Sequence, residues 1–130
     1  MFFIPVGVKH EIQLVVDDKN AIRFLGNERA RVLGTPWMIA SMEMTARDAV
    51  ASLLPEGYDT VGTMVNVRHV SAAPMGVVVR FTAELLEANE RRLYYRVECH
   101  GPKGMVGEGT HERFIINVER FAERLANKRE

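Results

Sequence analysis

The stretch that most limits what this chain can fold into begins at Thr35-Pro36. A hydroxyl residue followed by proline is a helix start, with Thr35 predicted as the N-cap and Pro36 at the first helical position. The helix is predicted to run from residue 36 to about residue 54 and to stop before Pro55. Its first half, Trp37-Met38-Ile39-Ala40-Ser41-Met42-Glu43-Met44, is apolar on nearly every side. A helix of that kind is expected to be buried all round. The rest of the chain must therefore build its core around it.

That remainder reads as strands. Val8, His10, Ile12, Leu14 and Val16 alternate with polar residues, so residues 6–16 are predicted to be extended. After the turn at 55–58, residues 60–71, 76–88, 92–100 and 104–118 each read as a strand. Ala73-Pro74-Met75-Gly76, Asn89-Glu90 and Gly101-Pro102-Lys103-Gly104 mark the turns between them. Val77, Val79, Phe81, Ala83 and Leu85 share one face, as do Leu93, Tyr95, Val97 and Cys99. Residues 17–25 are predicted to be a short helical stretch, 26–34 a loop, and 119–129 a terminal helix. No repeat or linker interrupts the chain, so residues 1–130 are read as one domain. One helix against a curved antiparallel sheet of about five strands is a two-layer α+β arrangement. The hot-dog fold, a long central helix wrapped by such a sheet, is that arrangement.

Charge narrows the function classes. The chain carries 17 basic and 17 acidic side chains, interspersed rather than blocked. A general nucleic-acid or membrane-surface binder needs a basic field, so neither partner is expected. No apolar run approaches the ~20 residues of a membrane helix. The apolar start Met1-Phe2-Phe3-Ile4-Pro5-Val6 is short and lacks a basic leader. Cys99 is the only cysteine, so no internal disulfide forms. These features predict a cytoplasmic protein.

Glu43 is the most informative single position. It is the only charge between Arg31 and Arg47, in the part of the helix expected to be most buried. A carboxylate there is costly unless paired, hydrogen-bonded or neutralised, which suits a general base or nucleophile as well as a structural ion pair. Strand alternation places His69 with Val65 and Val67, opposite Asn66 and Arg68. His69 is a core histidine by default and an acid–base group if it meets Glu43. Thr35 is explained by capping alone, and its hydroxyl is also able to orient a water or a carbonyl. It lies roughly 12 Å along the helix from Glu43, at about 1.5 Å per residue. A site using both needs substrate or water between them, or a dimer interface that unites them. Alternation puts His111 and Arg113 on one face of their strand, either a solvated face or part of a site. Gly107 and Gly109 permit close backbone approach to a ligand or a neighbouring strand. His10, His69, His100 and His111 have no zinc-site spacing, so no metal is expected. Cys99 falls on a core face and reads as packing.

With these residues in view, the chain resembles the fluoroacetyl-CoA thioesterase family, a branch of the hot-dog thioesterases. The resemblance covers nearly the whole chain. Its sharpest pieces are Thr35-x-x-Met38-x-x-x-Met42-Glu43, Gly62-Thr63, and Val67-x-His69-x-x-Ala72-x-Pro74. They continue with Gly107-x-Gly109-Thr110-His111-Glu112-Arg113 and close on Glu119-Arg120-Phe121. The resemblance implies that Thr35, Glu43 and His69 are the catalytic residues. It implies that Gly62 lies near the acyl group and that Arg113 binds substrate. It also implies an acyl-CoA substrate, no cofactor, and a homodimer or dimer of dimers with active sites near the subunit interface.

The family's fluoroacetyl-specific member has a longer, phenylalanine-rich lid before the threonine. Here residues 24–33 are shorter and hold no phenylalanine beyond Phe24. Arg29 and Arg31 are expected to make an open, solvated mouth that meets the CoA phosphates. Arg68, Lys103 and Arg113 are further candidates for those phosphates. The leading expectation is hydrolysis of a small acyl-CoA. Its rivals are a hot-dog enoyl-CoA hydratase and a non-catalytic acyl-CoA or ligand-binding module.

Overall fold

The computed structural model describes residues 2–129. Five strands form one antiparallel sheet: β1 (Lys9–Val15), β2 (Tyr58–His69), β3 (Val78–Asn89), β4 (Arg92–Gly101) and β5 (Gly104–Asn117). Their spatial order is β1-β3-β4-β5-β2. Two helices complete the fold, α1 (Thr35–Ala51) between β1 and β2, and α2 (Val118–Asn127) after β5. β1 and β2 occupy opposite edges, so the chain crosses the sheet between them, and α1 is that crossing. It packs on one face of the sheet against all five strands. This is the α+β hot-dog arrangement expected.

The core follows strand alternation. Val79, Phe81, Ala83 and Leu85 of β3 and Leu93, Tyr95, Val97 and Cys99 of β4 are all buried. The register sets Phe81 opposite Cys99, Ala83 opposite Val97 and Leu85 opposite Tyr95, so the two rows pack as cross-strand pairs. Burial pushes the Cys99 thiol up to about 12, which makes it an inert packing group. From α1, Met38, Met42, Thr45, Ala46, Ala49 and Val50 meet these rows.

That stripe corrects the expectation of a helix buried all round. The sheet covers one side of α1 only, and Trp37 and Met44 remain 51% and 48% exposed. Ala40, on the same side, is also exposed. The helix also starts and stops differently. Gly34, not Thr35, is the N-cap, and Thr35 is already helical. A side chain at Gly34 has little room, since its Cβ would lie 3.3 Å from the Trp37 ring and 3.4 Å from the Asn20 carbonyl. Ala51 is the last helical residue, because the chain tightens into turns over residues 52–54 ahead of Pro55.

Residues 17–25 are not helical. Asn20 accepts from the Asp17 amide and donates to the Val15 carbonyl, taking backbone groups that a helix would need. Ala21 and Ile22 instead pair with Leu33 and Val32. A short 3₁₀ turn, Glu28–Ala30, lies in the expected loop. Arg31 ties this region together. It is 4% exposed and donates to the carbonyls of Asp18, Ala21 and Ile22 and to the Asp18 carboxylate. Arg31 therefore does not stand in an open mouth. Three neighbouring carbonyls claim its guanidinium, whereas Arg29 is exposed.

Candidate functional site

The sequence-predicted residues fall into two groups at two separate hollows beside α1. At the N-terminal end of the helix, the Thr35 hydroxyl lies 2.7 Å from Nδ1 of His69, the last residue of β2. The hydroxyl is therefore engaged by the imidazole and caps no helix amide. Nε2 of His69 is buried and has no hydrogen-bond partner among the described residues. Burial holds the His69 pKa below the ordinary imidazole value, partly offset by the Ser71 backbone, so the ring is neutral near pH 7. Thr35 and His69 line a hollow of about 520 Å³ with Ile22, Phe24, Leu33 and Val70 among its walls.

Two turns further along α1, Glu43 faces β2 and β5. Its carboxylate stands 3.6 Å from Nη1 of Arg113. Side-chain exposure of Glu43 is 39%, so it sits at the rim of the helix face instead of in the core. The uncovered side of α1 explains the difference from expectation. Glu43 and Arg113 share a second hollow of about 240 Å³ with Ala40, Met44 and Arg47. Gly62 completes this group. A Cβ at that position would lie 2.7 Å from Oε1 of Glu43 and 3.3 Å from the His111 ring. A side chain there would push the carboxylate from its present place.

Arg113 is held from every side. It is 5% exposed, with Nε donating to the Thr60 hydroxyl at 2.7 Å and Nη2 to the Thr60 carbonyl at 2.8 Å. His111 Nδ1 donates to the Met64 carbonyl at 2.8 Å, since a carbonyl only accepts. That fixes the tautomer and leaves Nε2 as the acceptor for Nη1 of Arg113, 3.3 Å away. Burial keeps His111 neutral by lowering its pKa, and burial also lowers that of Arg113. The two residues are thus a buried support for Glu43, not a solvated strand face. Arg113 is poorly placed to reach CoA phosphates in solvent, while Arg68 and Lys103 are exposed. Thr60 escaped the sequence reading. Its one signal is strand parity, which sets it on the face of β2 that carries Gly62.

Within one chain the two groups stay apart. Thr35 and Glu43 are eight residues apart on one helix, roughly 12 Å at about 1.5 Å per residue. They also open onto different hollows. Thr35 joins His69, and Glu43 joins Arg113 and Gly62. Gly109 serves the sheet: a Cβ there would lie 2.6 Å from Cα of Val67, so the close approach is to β2, whereas a Cβ at Gly107 would first meet the Met38 side chain of α1.

Comparison with known proteins identifies the family. Residues 16–119 match the family model described as fluoroacetyl-CoA-specific thioesterase, FlK. The fluoroacetyl-CoA thioesterase of Streptantibioticus cattleyicolor is 34% identical over 129 residues, spanning 95% of this chain and 93% of that protein. A solved structure of the fluoroacetyl-CoA thioesterase FlK superposes with a TM-score of 0.87 at 33% identity, covering 97% of this chain and 98% of the other. A thioesterase-superfamily member from Thermus thermophilus gives 0.85 at 31% identity, covering 98% and 97%. The chain therefore belongs to the fluoroacetyl-CoA thioesterase (FlK) family of hot-dog fold thioester hydrolases.

Proposed function

We propose that this protein hydrolyses small acyl-CoA thioesters, with Glu43, Thr35 and His69 as its catalytic residues and a homodimer as its working form. The observation that carries the reading is the Glu43 carboxylate, paired with a buried arginine and lying where a Cβ at Gly62 would displace it. A positioned carboxylate beside a hollow suits water activation or direct attack on a carbonyl. Neutral His69, bonded to Thr35, suits proton transfer and carbonyl positioning. Relatives support the substrate class: curated and solved relatives are named for fluoroacetyl-CoA, and a FlK variant has been solved with acetyl-CoA.

In hydrolysis, water adds to the thioester carbonyl, the C–S bond breaks, and the CoA thiolate takes up a proton. The two groups found apart in one chain form a complete set when a second copy lies antiparallel along α1 and β2. Glu43 of one subunit then approaches the Thr35–His69 pair of the other. Exposed Trp37, Ala40 and Met44, together with the unpaired edge of β2, are the surface such a copy covers.

The reading is tested by free-thiol release from acetyl-, butyryl- and fluoroacetyl-CoA. Glu43→Gln is expected to lower kcat by ~10²-fold or more while the fold persists. Near-normal turnover in a folded Glu43→Gln protein would remove the assignment. With Phe24 the only phenylalanine in residues 24–33, little preference for the fluorinated substrate is expected.

A further inference from the structure

Helix spacing sets up a pairing that this chain does not make. Glu43 and Arg47 are four residues apart on α1, so they share a face, with the acid on the N-terminal side. That is the order in which an acid and a base most readily join on a helix. Both line the hollow of about 240 Å³ beside Arg113. Yet among the described residues the one ion-pair partner of Glu43 is Arg113, and that of Arg47 is Asp59.

Asp59, on β2, takes the Arg47 guanidinium with both carboxylate oxygens. Nε of Arg47 donates to Oδ1 at 2.9 Å and Nη2 donates to Oδ2 at 2.6 Å. Oδ1 also accepts from the Thr60 amide at 2.7 Å, which fixes the carboxylate against the β2 backbone. The bond from Arg47 outweighs burial and holds the Asp59 carboxyl below its ordinary value, so the grip persists at neutral pH. The next residue restrains the other cation. Thr60 accepts from Nε of Arg113 at its hydroxyl and from Nη2 at its carbonyl. Consecutive residues of β2 therefore tether both guanidinium groups that border Glu43. Arg113 stands 3.6 Å from the Glu43 carboxylate, beyond hydrogen-bond distance, and Arg47 is turned to the strand.

The proposed reaction draws on the oxygen lone pairs of Glu43, whether it activates water or attacks the carbonyl itself. A carboxylate flanked by two hydrogen-bonded guanidinium groups is a weaker base and nucleophile, because each cation stabilises the charge that the reaction must move. Building on the proposed acyl-CoA hydrolysis, we infer that Asp59 is a positioning residue: it holds Arg47 on β2 and so keeps a second guanidinium off the Glu43 carboxylate. Asp59 acts through Arg47, not through contact with the substrate.

The test is a rescue. Asp59→Asn keeps an acceptor for the Thr60 amide and removes the charge that holds Arg47. Its kcat for acetyl-CoA is expected to fall about fivefold or more, with KM within about twofold of wild type. Asp59→Asn/Arg47→Met, which leaves no guanidinium free to move, is expected to regain most of that loss. A mere clamp between α1 and β2 predicts the opposite, since the second change removes the other half of the clamp. A double variant no better than the single one would therefore overturn the inference, as would a single variant whose kcat stays within about twofold of wild type. Crystal structures supply a readout that needs no turnover. In Asp59→Asn an Arg47 nitrogen is expected within about 4 Å of the Glu43 carboxylate. Arg47 still at position 59, or pointing into solvent, would overturn the placement. Arg47 on Glu43 in a protein that hydrolyses no acyl-CoA would sustain the restraint by Asp59 and remove the hydrolysis reading.

Discussion

Gly62 and Glu43 show how one missing side chain decides the placement of another. Adding a methyl group at Gly62 puts carbon 2.7 Å from a carboxylate oxygen of Glu43 and 3.5 Å from the Arg113 guanidinium that faces it. The carboxylate must move, and small misplacements at a reacting centre are costly. Gly62→Ala is therefore expected to cut kcat by ~10-fold or more with a near-wild-type thermal midpoint, since Gly62 lies on an exposed edge. Unimpaired turnover would show that Glu43 is not held there during catalysis. His69 leads to a pH prediction. Its folded pKa lies below 6.5, chiefly through burial, so the neutral ring persists as pH falls past the ordinary imidazole range. The acid limb that His69 imposes on kcat/KM is expected below pH 6.5, and Thr35→Ser should preserve it. A limb centred above 6.5 would contradict the burial.

The pairing of β2 with β5 positions the candidate site, because it brings Gly62 opposite Arg113 and His69 opposite Gly107. A bulge between Gly62 and Met64 resets the register midway. Gly109 is what lets the strands approach. Its Cβ would press on the Val67 backbone, which cannot rotate away as a side chain can. Gly109→Ala is expected to cost about 1–3 kcal/mol in urea unfolding. Gly107→Ala should cost less, because there the obstacle is chiefly the flexible end of Met38. A reversed order would mean that the sheet, not the methionine, adjusts. The same strands bury His111 in neutral form, with its pKa lowered mainly by burial. The unfolded chain takes up a proton near pH 6.5 that the folded chain refuses. This contribution is therefore full above 6.5 and declines as pH falls toward the folded value.

One sheet and one helix leave the assembly unfinished. α1 buries Met38, Met42 and Ala46 while exposing Trp37, Ala40 and Met44, and β2 presents an unpaired edge beside them. Apolar surface on a helix next to an open strand edge suits the homodimer proposed above. Multi-angle light scattering at micromolar concentration is expected to give twice the 14.7 kDa chain mass or a multiple of that. Trp37→Glu should shift it toward monomer and lower activity in parallel, because in the proposed dimer the Thr35–His69 pair would lose its opposing Glu43. A fully active monomer would end the composite-site reading.

Local pattern alone carried much of this. Alternation identified the core faces of β3 and β4, the turn residues separated the strands, and a helix start at Thr35-Pro36 located α1 within a residue. Glu43 stood out as a lone charge and His69 and Arg113 by strand face, signals that live in near neighbours along the chain, whereas the roles proposed for Thr35, Glu43, His69, Gly62 and Arg113 rest on the family resemblance. What the sequence did not disclose depends on contacts between distant residues. Thr35 looked like a cap until β2 brought His69, 34 positions away, to its hydroxyl. Arg31 looked solvent-facing until residues 18–22 folded their carbonyls around it. Periodicity reports which face a side chain takes, whereas the partner across that face is chosen by strand order, which no local pattern encodes.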